Sequence, residues 1–180
     1  QAIEAYTSVG ANAISTPLAA EAARRIAGSL REAVADGSDL HAREEMALGS
    51  LMAGLALASA RLGLVHGLAH PLGSLYHLPH GQACGALLPW VMEFNMPAAR
   101  GQYADLMQAL GICGDTADLL RWVRGVVDDL GGAVNFAQAG LSRDDFARII
   151  PPTLASGSTK HNPRPVDEPS LRSLLERLIE

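Results

Sequence analysis

The chain has 180 residues, of which 48% are hydrophobic, 18% charged and 4% aromatic. These fractions exclude a disordered chain, and the length allows one sizeable domain with its own core. The formal net charge of −5 argues against a nucleic-acid partner, which would require a clustered basic surface. Because the two cysteines, Cys84 and Cys113, are too few for a disulfide framework or a Cys-type zinc site, we expect a reducing, cytoplasmic setting.

The longest apolar stretch covers residues 46–65 and comes close to the length of a membrane-spanning helix, which needs about 20 mainly apolar residues. Arg61 interrupts it, glycines and serines recur within it, and a histidine-rich segment follows. We therefore expect a buried central helix and no membrane partner. At the other end, Gln1 opens directly into helix-like sequence without a cap, so we expect a trimmed piece of a longer protein.

Helix signals recur along the first half of the chain. The N-cap Thr16 with Pro17 predicts a helix running past Val34 until residues 36–38 break it. A second helix is predicted from about residue 42 to residue 63. A third, over residues 64–76, should kink or end at Pro71 because proline removes a backbone hydrogen bond.

Further helices are predicted in the second half. The first three cover residues 80–95 with Pro89 inside, Pro97 to about Gly111, and Asp115 to Leu130. A capping box at residues 142–145 predicts a short helix that Pro151 and Pro152 end. A polar loop over 153–167 follows, and the last helix covers residues 169–179. No alternating strand pattern or internal repeat is present. The chain therefore reads as an all-α bundle of roughly seven to nine helices forming a single domain over residues 1–180.

Four of the six histidines fall in one short window: His66, His70, His77 and His80. His66 and His70 are four residues apart and share one face of a helix, from which neutral imidazoles can bind a divalent metal. A histidine pair at this spacing is more often a surface or hydrogen-bonded core feature. Here the neighbours are leucine, valine, alanine and glycine, which indicates burial, and a shared cation would satisfy several buried imidazoles at once.

The segment over residues 63–95 reads Gly-x-x-His-x-x-x-His-Pro-x-Gly, then Leu-Pro-His-Gly, then Leu-Leu-Pro-x-Val-x-x-x-Asn. This pattern closely resembles the long signature of the iron-containing (group III) alcohol dehydrogenases. Residues 2–6 resemble that family's metal-ligand helix, and residues 162–164 resemble its Asn-Pro-Arg segment. The resemblance implies the helical C-terminal half of a dehydroquinate synthase-like, iron-type alcohol dehydrogenase fold.

The resemblance also implies roles for individual residues. His66 and His80 match two of the family's three histidine ligands, and His70 matches a histidine beside the nicotinamide and substrate that handles a proton. His77 falls at a variable position, so we interpret it as a bystander. Gln1 stands where the third histidine ligand is usual, and the aspartate ligand would precede it. We therefore expect Gln1 to be at best a weak ligand and metal affinity to be poor.

The implied reaction is hydride transfer between an alcohol or aldehyde and NAD or NADP, assisted by Fe²⁺ or Zn²⁺ acting as a Lewis acid. No strand, glycine-rich turn and helix follow one another in this chain, and Gly131 with Gly132 is interpreted as a helix stop. The dinucleotide should therefore bind mainly to an N-terminal domain that this chain lacks, and the isolated chain should not turn over. Exposed apolar surface left by that missing half would promote a homodimer or a higher homo-oligomer.

Two other functions stay open. One is a metal-free reductase of the same superfamily, similar to the maleylacetate reductases, in which a histidine-lined pocket handles a carboxylated substrate; Gln1 favours it slightly. The other is a non-enzymatic helical interaction module, which predicts an exposed apolar patch and no polar cleft.

Overall fold

The computed structural model describes all residues 1–180 and contains no β-strand. Its eight α-helices are α1 (Ala2–Thr7), α2 (Ser15–Ala35), α3 (Leu40–Ala60), α4 (Leu64–Tyr76), α5 (His80–Ala109), α6 (Thr116–Asp129), α7 (Phe146–Ala155) and α8 (Glu168–Ile179). Two short 3-10 helices cover Arg143–Asp145 and Thr159–His161. The prediction of an all-α chain with seven to nine helices is confirmed.

Contacts divide the chain into two compact units. Unit 1 comprises Gln1–Leu62 and Ala99–Leu119, and unit 2 comprises Gly63–Ala98 and Leu120–Glu180. The prediction of a single domain over residues 1–180 stays a prediction.

Unit 1 packs α1, α2 and α3 against one another through alanine side chains. Five of these are almost wholly buried: Ala19, Ala22, Ala53, Ala56 and Ala60. Gly49 of α3 permits the approach, because a Cβ there would lie 2.8 Å from the Ile26 side chain and 3.3 Å from the Ala22 carbonyl oxygen of α2. The small residues of the apolar stretch thus serve close packing of helices.

Unit 2 holds the larger apolar core. Its buried side chains come from α4, the first part of α5, α7, α8 and the segment between α6 and α7. Large ones among them are Phe136 of that segment, Phe146, Leu68, Leu87 and Leu171. At about 25 cal/mol per Å² of apolar surface, a fully buried leucine or phenylalanine contributes about 1.5–3 kcal/mol. This core is the support on which α4 and the start of α5, and therefore the histidines, are fixed.

The predicted break before Pro97 is wrong. One helix, α5, runs through both Pro89 and Pro97 from His80 to Ala109. Each proline removes a hydrogen bond and costs about 3 kcal/mol or more in a helix interior. Burial of Leu87, Val91 and Met92 around Pro89 offsets that cost, and residue-by-residue propensity cannot show this tertiary contribution. Pro97 does mark a boundary of another kind, since the two units meet in sequence at Ala98 and Ala99.

The other prolines behave in the same way. Pro71 lies inside α4 without ending it, and α7 continues through Pro151 and Pro152 to Ala155, where the sequence predicted a stop and a loop. Buried side chains of Ile149, Ile150 and Thr153 bind α7 to its neighbours on either side of the two prolines. The predicted capping box of Ser142 and Asp145 is present.

No single helix combines the length and apolar character needed to cross a membrane, although α3 and α4 taken together meet those criteria across the break between them.

Candidate metal centre

The position of α4 is set by a side-chain cap from a distant loop. The backbone N–H of Leu64, at the first turn of α4, donates to Oδ1 of Asn162 at 3.1 Å. Helix N-termini leave four backbone N–H groups without partners inside the helix, and an asparagine oxygen is among the best acceptors for them. Asn162 is buried, with 4% of its surface exposed, so this cap is shielded from water.

Asn162 is in turn held by α5 and by its own loop. Its Nδ2 donates to Oδ1 of Asn95 at 2.6 Å and to the carbonyl oxygen of Arg164 at 2.8 Å. The guanidinium of Arg164 lies 4.1 Å from the Phe94 ring centroid and donates to the Phe94 carbonyl oxygen at 2.8 Å. The Asn-Pro-Arg segment therefore ties the start of α4 to α5.

His66 lies in the first turn of α4 and is buried, with 5% of its surface exposed. The next residue, Gly67, lies so close to the 3-10 helix over Thr159–His161 that a Cβ would overlap Oγ1 of Thr159. Glycine at this position lets α4 pack closely on that 3-10 helix within unit 2, next to the buried His66.

His80 is the first residue of α5, at the end where the chain returns from α4. Its ring centroid lies 5.4 Å from that of His66, with 58° between the ring planes. The two imidazoles come from different helices, 14 positions apart in the sequence, and the fold of unit 2 brings them together. The metal hypothesis required this convergence.

A third donor stands beside them. Cys84, one turn along α5 from His80, has its Sγ 3.6 Å from Nε2 and 4.0 Å from Nδ1 of the His80 ring. One ligand atom from each of His66, His80 and Cys84 lies within 4.8 Å of the other two. By sequence, Cys84 is only one of two cysteines too few for a Cys-type zinc site. Its spacing of four residues from His80 on one helix was the signal that could have identified it as a donor.

His70 contacts the donor group of His66, His80 and Cys84 through the ring of His80. Its ring stacks on that of His80, with centroids 5.5 Å apart and 28° between planes. It also lines an open cavity of about 480 Å³ whose wall includes Gly67, Pro71, Ser74, Arg148 and Ser156. His70 is itself exposed, so it can meet a small molecule in that cavity.

Burial lowers the pKa of His80, and the neighbouring charges of His66 and His70 lower it further. Imidazole must be neutral to bind a metal. Two nitrogen donors and one sulfur donor form a set that suits a borderline divalent cation, above all Zn²⁺. The residues present therefore fit the metal that the resemblance implies.

Two further histidines lie outside the donor group of His66, His80 and Cys84. His77 is the C-cap of α4, exposed, with the left-handed φ of 54°. Nδ1 of His161 donates to the carbonyl oxygen of Gly157 at 2.8 Å, which is a bond within its own loop. Gln1 is exposed and belongs to unit 1, where its carbonyl oxygen accepts from the N–H of Ala5 at 2.8 Å; its role as a weak ligand stays a prediction.

Comparison with known proteins gives the family of the chain. Residues 1–179 match the model of the Fe-containing alcohol dehydrogenase family, C-terminal part. The chain is 38% identical over 183 aligned positions to the 1,3-propanediol dehydrogenase of Klebsiella pneumoniae, covering 98% of this chain and 47% of that protein. It is 36% identical to the lactaldehyde reductase of Escherichia coli K12, covering 97% and 46%.

Among solved structures, that of a 1,3-propanediol oxidoreductase superposes with a TM-score of 0.93 and 36% identity, covering 98% of this chain and 48% of that one. The chain thus spans about half the length of the curated relatives it matches. The chain belongs to the iron-containing alcohol dehydrogenase family, and the part of that family it represents is the helical C-terminal domain.

Proposed function

We propose that this chain is the metal-binding half of an NAD(P)-dependent alcohol dehydrogenase that interconverts an alcohol and an aldehyde. The observation that carries the proposal is the meeting of the His66 and His80 rings, 5.4 Å apart, at the join of α4 and α5. Relatives that are 36–38% identical, a 1,3-propanediol dehydrogenase and a lactaldehyde reductase, support the reaction class.

In this proposal His66 and His80 hold the cation through neutral imidazole nitrogens. Burial of His66 fixes its ring, and the lowered pKa of His80 keeps that ring deprotonated. When bound, a divalent cation such as Zn²⁺ or Fe²⁺ supplies Lewis acidity toward the substrate oxygen, and nicotinamide accepts or supplies the hydride.

His70 is proposed to carry the proton. It stacks on His80 and opens onto the cavity of about 480 Å³, a size that accepts a small alcohol or aldehyde together with part of a cofactor. A histidine is suited to this task because its ordinary pKa lies near neutral pH.

The isolated chain is proposed to bind metal weakly and to lack turnover. Gln1 offers a neutral amide oxygen where the family uses an imidazole, and the chain has no glycine-rich turn between a strand and a helix for a dinucleotide pyrophosphate. The isolated 180 residues should therefore show no cofactor-dependent activity at any metal concentration.

The test joins this chain to the nucleotide-binding half of a 1,3-propanediol dehydrogenase and measures aldehyde reduction with NADH and NADPH in the presence of Zn²⁺ or Fe²⁺. We expect activity that His66→Ala and His80→Ala abolish and that His77→Ala leaves intact. Activity unaffected by the loss of both His66 and His80 would overturn the proposal.

A second candidate is a metal-free reductase, which Gln1 favours because an amide is a poor replacement for an imidazole ligand. Metal analysis of the active fusion separates the two: activity without stoichiometric metal would support the reductase. The third candidate, an interaction module, draws support from exposed apolar side chains, among them Leu48, Leu51 and Leu55 on α3. It does not explain why the histidines converge.

A further inference from the structure

We propose that Cys84 is a third protein ligand of the metal centre, bound as a thiolate beside His66 and His80, and that it biases this centre toward Zn²⁺ over Fe²⁺. The inference rests on the proposed function and names a ligand that the sequence resemblance does not supply.

The distance between Sγ of Cys84 and Nε2 of His80 is the distance expected between two ligands of one metal. In tetrahedral zinc sites Zn–S is about 2.3 Å and Zn–N about 2.0–2.1 Å, so the sulfur and nitrogen of two ligands lie about 3.6 Å apart. The observed separation between Sγ of Cys84 and Nε2 of His80 is 3.6 Å. Because the two residues are four apart on α5, one face of a single helix presents both donors. Sγ of Cys84 also lies 4.0 Å from Nδ1 of His80, so the sulfur sits over the imidazole ring, and the ring must turn about its side-chain bonds for Nε2 and Sγ to point at one metal.

His66 needs only a small adjustment to complete the set. All three donor atoms lie within 4.8 Å of one another, whereas two nitrogens on one tetrahedral zinc lie about 3.4 Å apart. A movement of the His66 ring by at most about 1.4 Å closes that gap. His80 is exposed and Cys84 partly so, while His66 is buried, so three donors close one side of the site and leave a fourth position for a substrate oxygen, as catalytic zinc sites do.

The chemistry of sulfur sets the metal preference. Thiolates favour soft or borderline cations, and replacing an oxygen or nitrogen ligand with sulfur shifts selectivity toward zinc. The thiol must lose its proton to bind, so the S–H bond breaks, a metal–sulfur bond forms and one proton passes to the buffer. Cys113 offers a matched control because it is an exposed free cysteine outside the donor group.

The test titrates the 180-residue chain with Co²⁺ and follows its visible and near-ultraviolet absorption. We expect d–d bands of bound cobalt together with a sulfur-to-cobalt charge-transfer band in wild type and in Cys113→Ser. Cys84→Ser and Cys84→Ala should keep the d–d bands and lose the charge-transfer band. The Zn²⁺ affinity of both variants should fall by at least roughly tenfold, because losing even a residue that only hydrogen-bonds to a ligand lowers metal affinity by about that factor. Circular dichroism checks that each variant is folded.

Calorimetric titration of Zn²⁺ in two buffers of different ionisation enthalpy adds a second readout, in which wild type releases about one proton more than Cys84→Ser. Cobalt d–d bands in wild type without a charge-transfer band, or equal proton release by the two proteins, would overturn the role of Cys84 and leave the histidine centre standing. No cobalt binding at all would overturn the metal centre itself, and the role of Cys84 with it.

Discussion

Asn95 and Asn162, which lie 67 positions apart in the chain, exchange two hydrogen bonds between their buried side-chain amides, at 2.6 and 3.0 Å. The same Oδ1 of Asn162 accepts the N–H of Leu64 at the start of α4. One buried pair therefore joins α4 and α5, the helices that carry His66 and His80. We interpret this pair as the contact that fixes the distance between the two histidines.

Asn162→Ala should destabilise the chain by about 2–4 kcal/mol, because it leaves the N–H of Leu64 and the amide of Asn95 buried without that partner. Urea unfolding followed by circular dichroism measures the loss. Asn135→Ala is the control: its exposed Oδ1 accepts from the N–H of Gln138 at 2.9 Å, so its loss should cost about 1 kcal/mol or less. Equal costs for the two variants would contradict a special role for the Asn95–Asn162 pair.

Gly67→Ala should destabilise the chain by about 1–3 kcal/mol, since the new Cβ would overlap Oγ1 of Thr159. Helix propensity alone predicts that replacing glycine with alanine within a helix stabilises the chain. Gly28→Ala on α2, where a Cβ meets nothing within 4 Å, should therefore stabilise by about 0.5–1 kcal/mol.

Thr159→Ala supplies the rescue. Its buried Oγ1 has no hydrogen-bond partner, so its removal should cost little, and the double variant Gly67→Ala with Thr159→Ala should recover most of the lost stability. Thermal and urea unfolding of wild type, the two single variants at positions 67 and 159 and their double variant form a double-mutant cycle. A cycle with no coupling between positions 67 and 159 would show that the close approach at Gly67 is not what limits the substitution.

The sequence was sufficient for the all-α class, for most helix ends and for the histidine pair, because those features depend on local spacing. The capping box at Ser142, the cap at Asp115 and the stop at Gly131 are each set by neighbouring residues, and each is present. Pro97, Pro151 and Pro152 misled the prediction because buried side chains on either side of them pack against the rest of the chain and offset the local cost. The Asn95–Asn162 pair could not be found from spacing, since nothing local couples two asparagines so distant in the chain.

Stability in unit 1 should depend on pH through Glu21 of α2. A hydrogen bond from Arg24, together with the charges of Arg24 and Arg25, lowers the pKa of the Glu21 carboxyl from 4.5 to about 2. A carboxyl whose pKa is depressed on folding stabilises the protein above its unfolded pKa and loses that contribution as pH falls. The contribution is thus complete above about pH 4.5 and gone near pH 2.

Glu21→Gln should lower the free energy of unfolding near neutral pH by about 0.2–1 kcal/mol, because the partners Arg24 and Arg25 are solvent-accessible and water screens the pair. The difference from wild type should shrink toward zero as pH falls to about 2 and should also shrink in high salt. Glu44→Gln, at an exposed position on α3, serves as the control in urea titrations across pH. A difference at Glu21 that persists unchanged in acid would contradict the assignment.

His70→Ala should separate proton handling from metal binding. In the fusion with a nucleotide-binding half, we expect turnover to fall by about 10²–10⁴-fold, the usual worth of a positioned acid or base. Zn²⁺ affinity should stay that of wild type, because His70 lies outside the donor group of His66, His80 and Cys84. A parallel loss of zinc affinity would make His70 a ligand instead.

The most direct test of the account is calorimetric titration of Zn²⁺ into the 180-residue chain and its single-histidine variants. We predict one zinc site per chain. The zinc affinity should fall by at least roughly 10–100-fold in His66→Ala and in His80→Ala and should be unchanged in His77→Ala. If wild type and the His66→Ala, His80→Ala and His77→Ala variants bind zinc equally, or if wild type binds none, His66 and His80 do not form a metal centre.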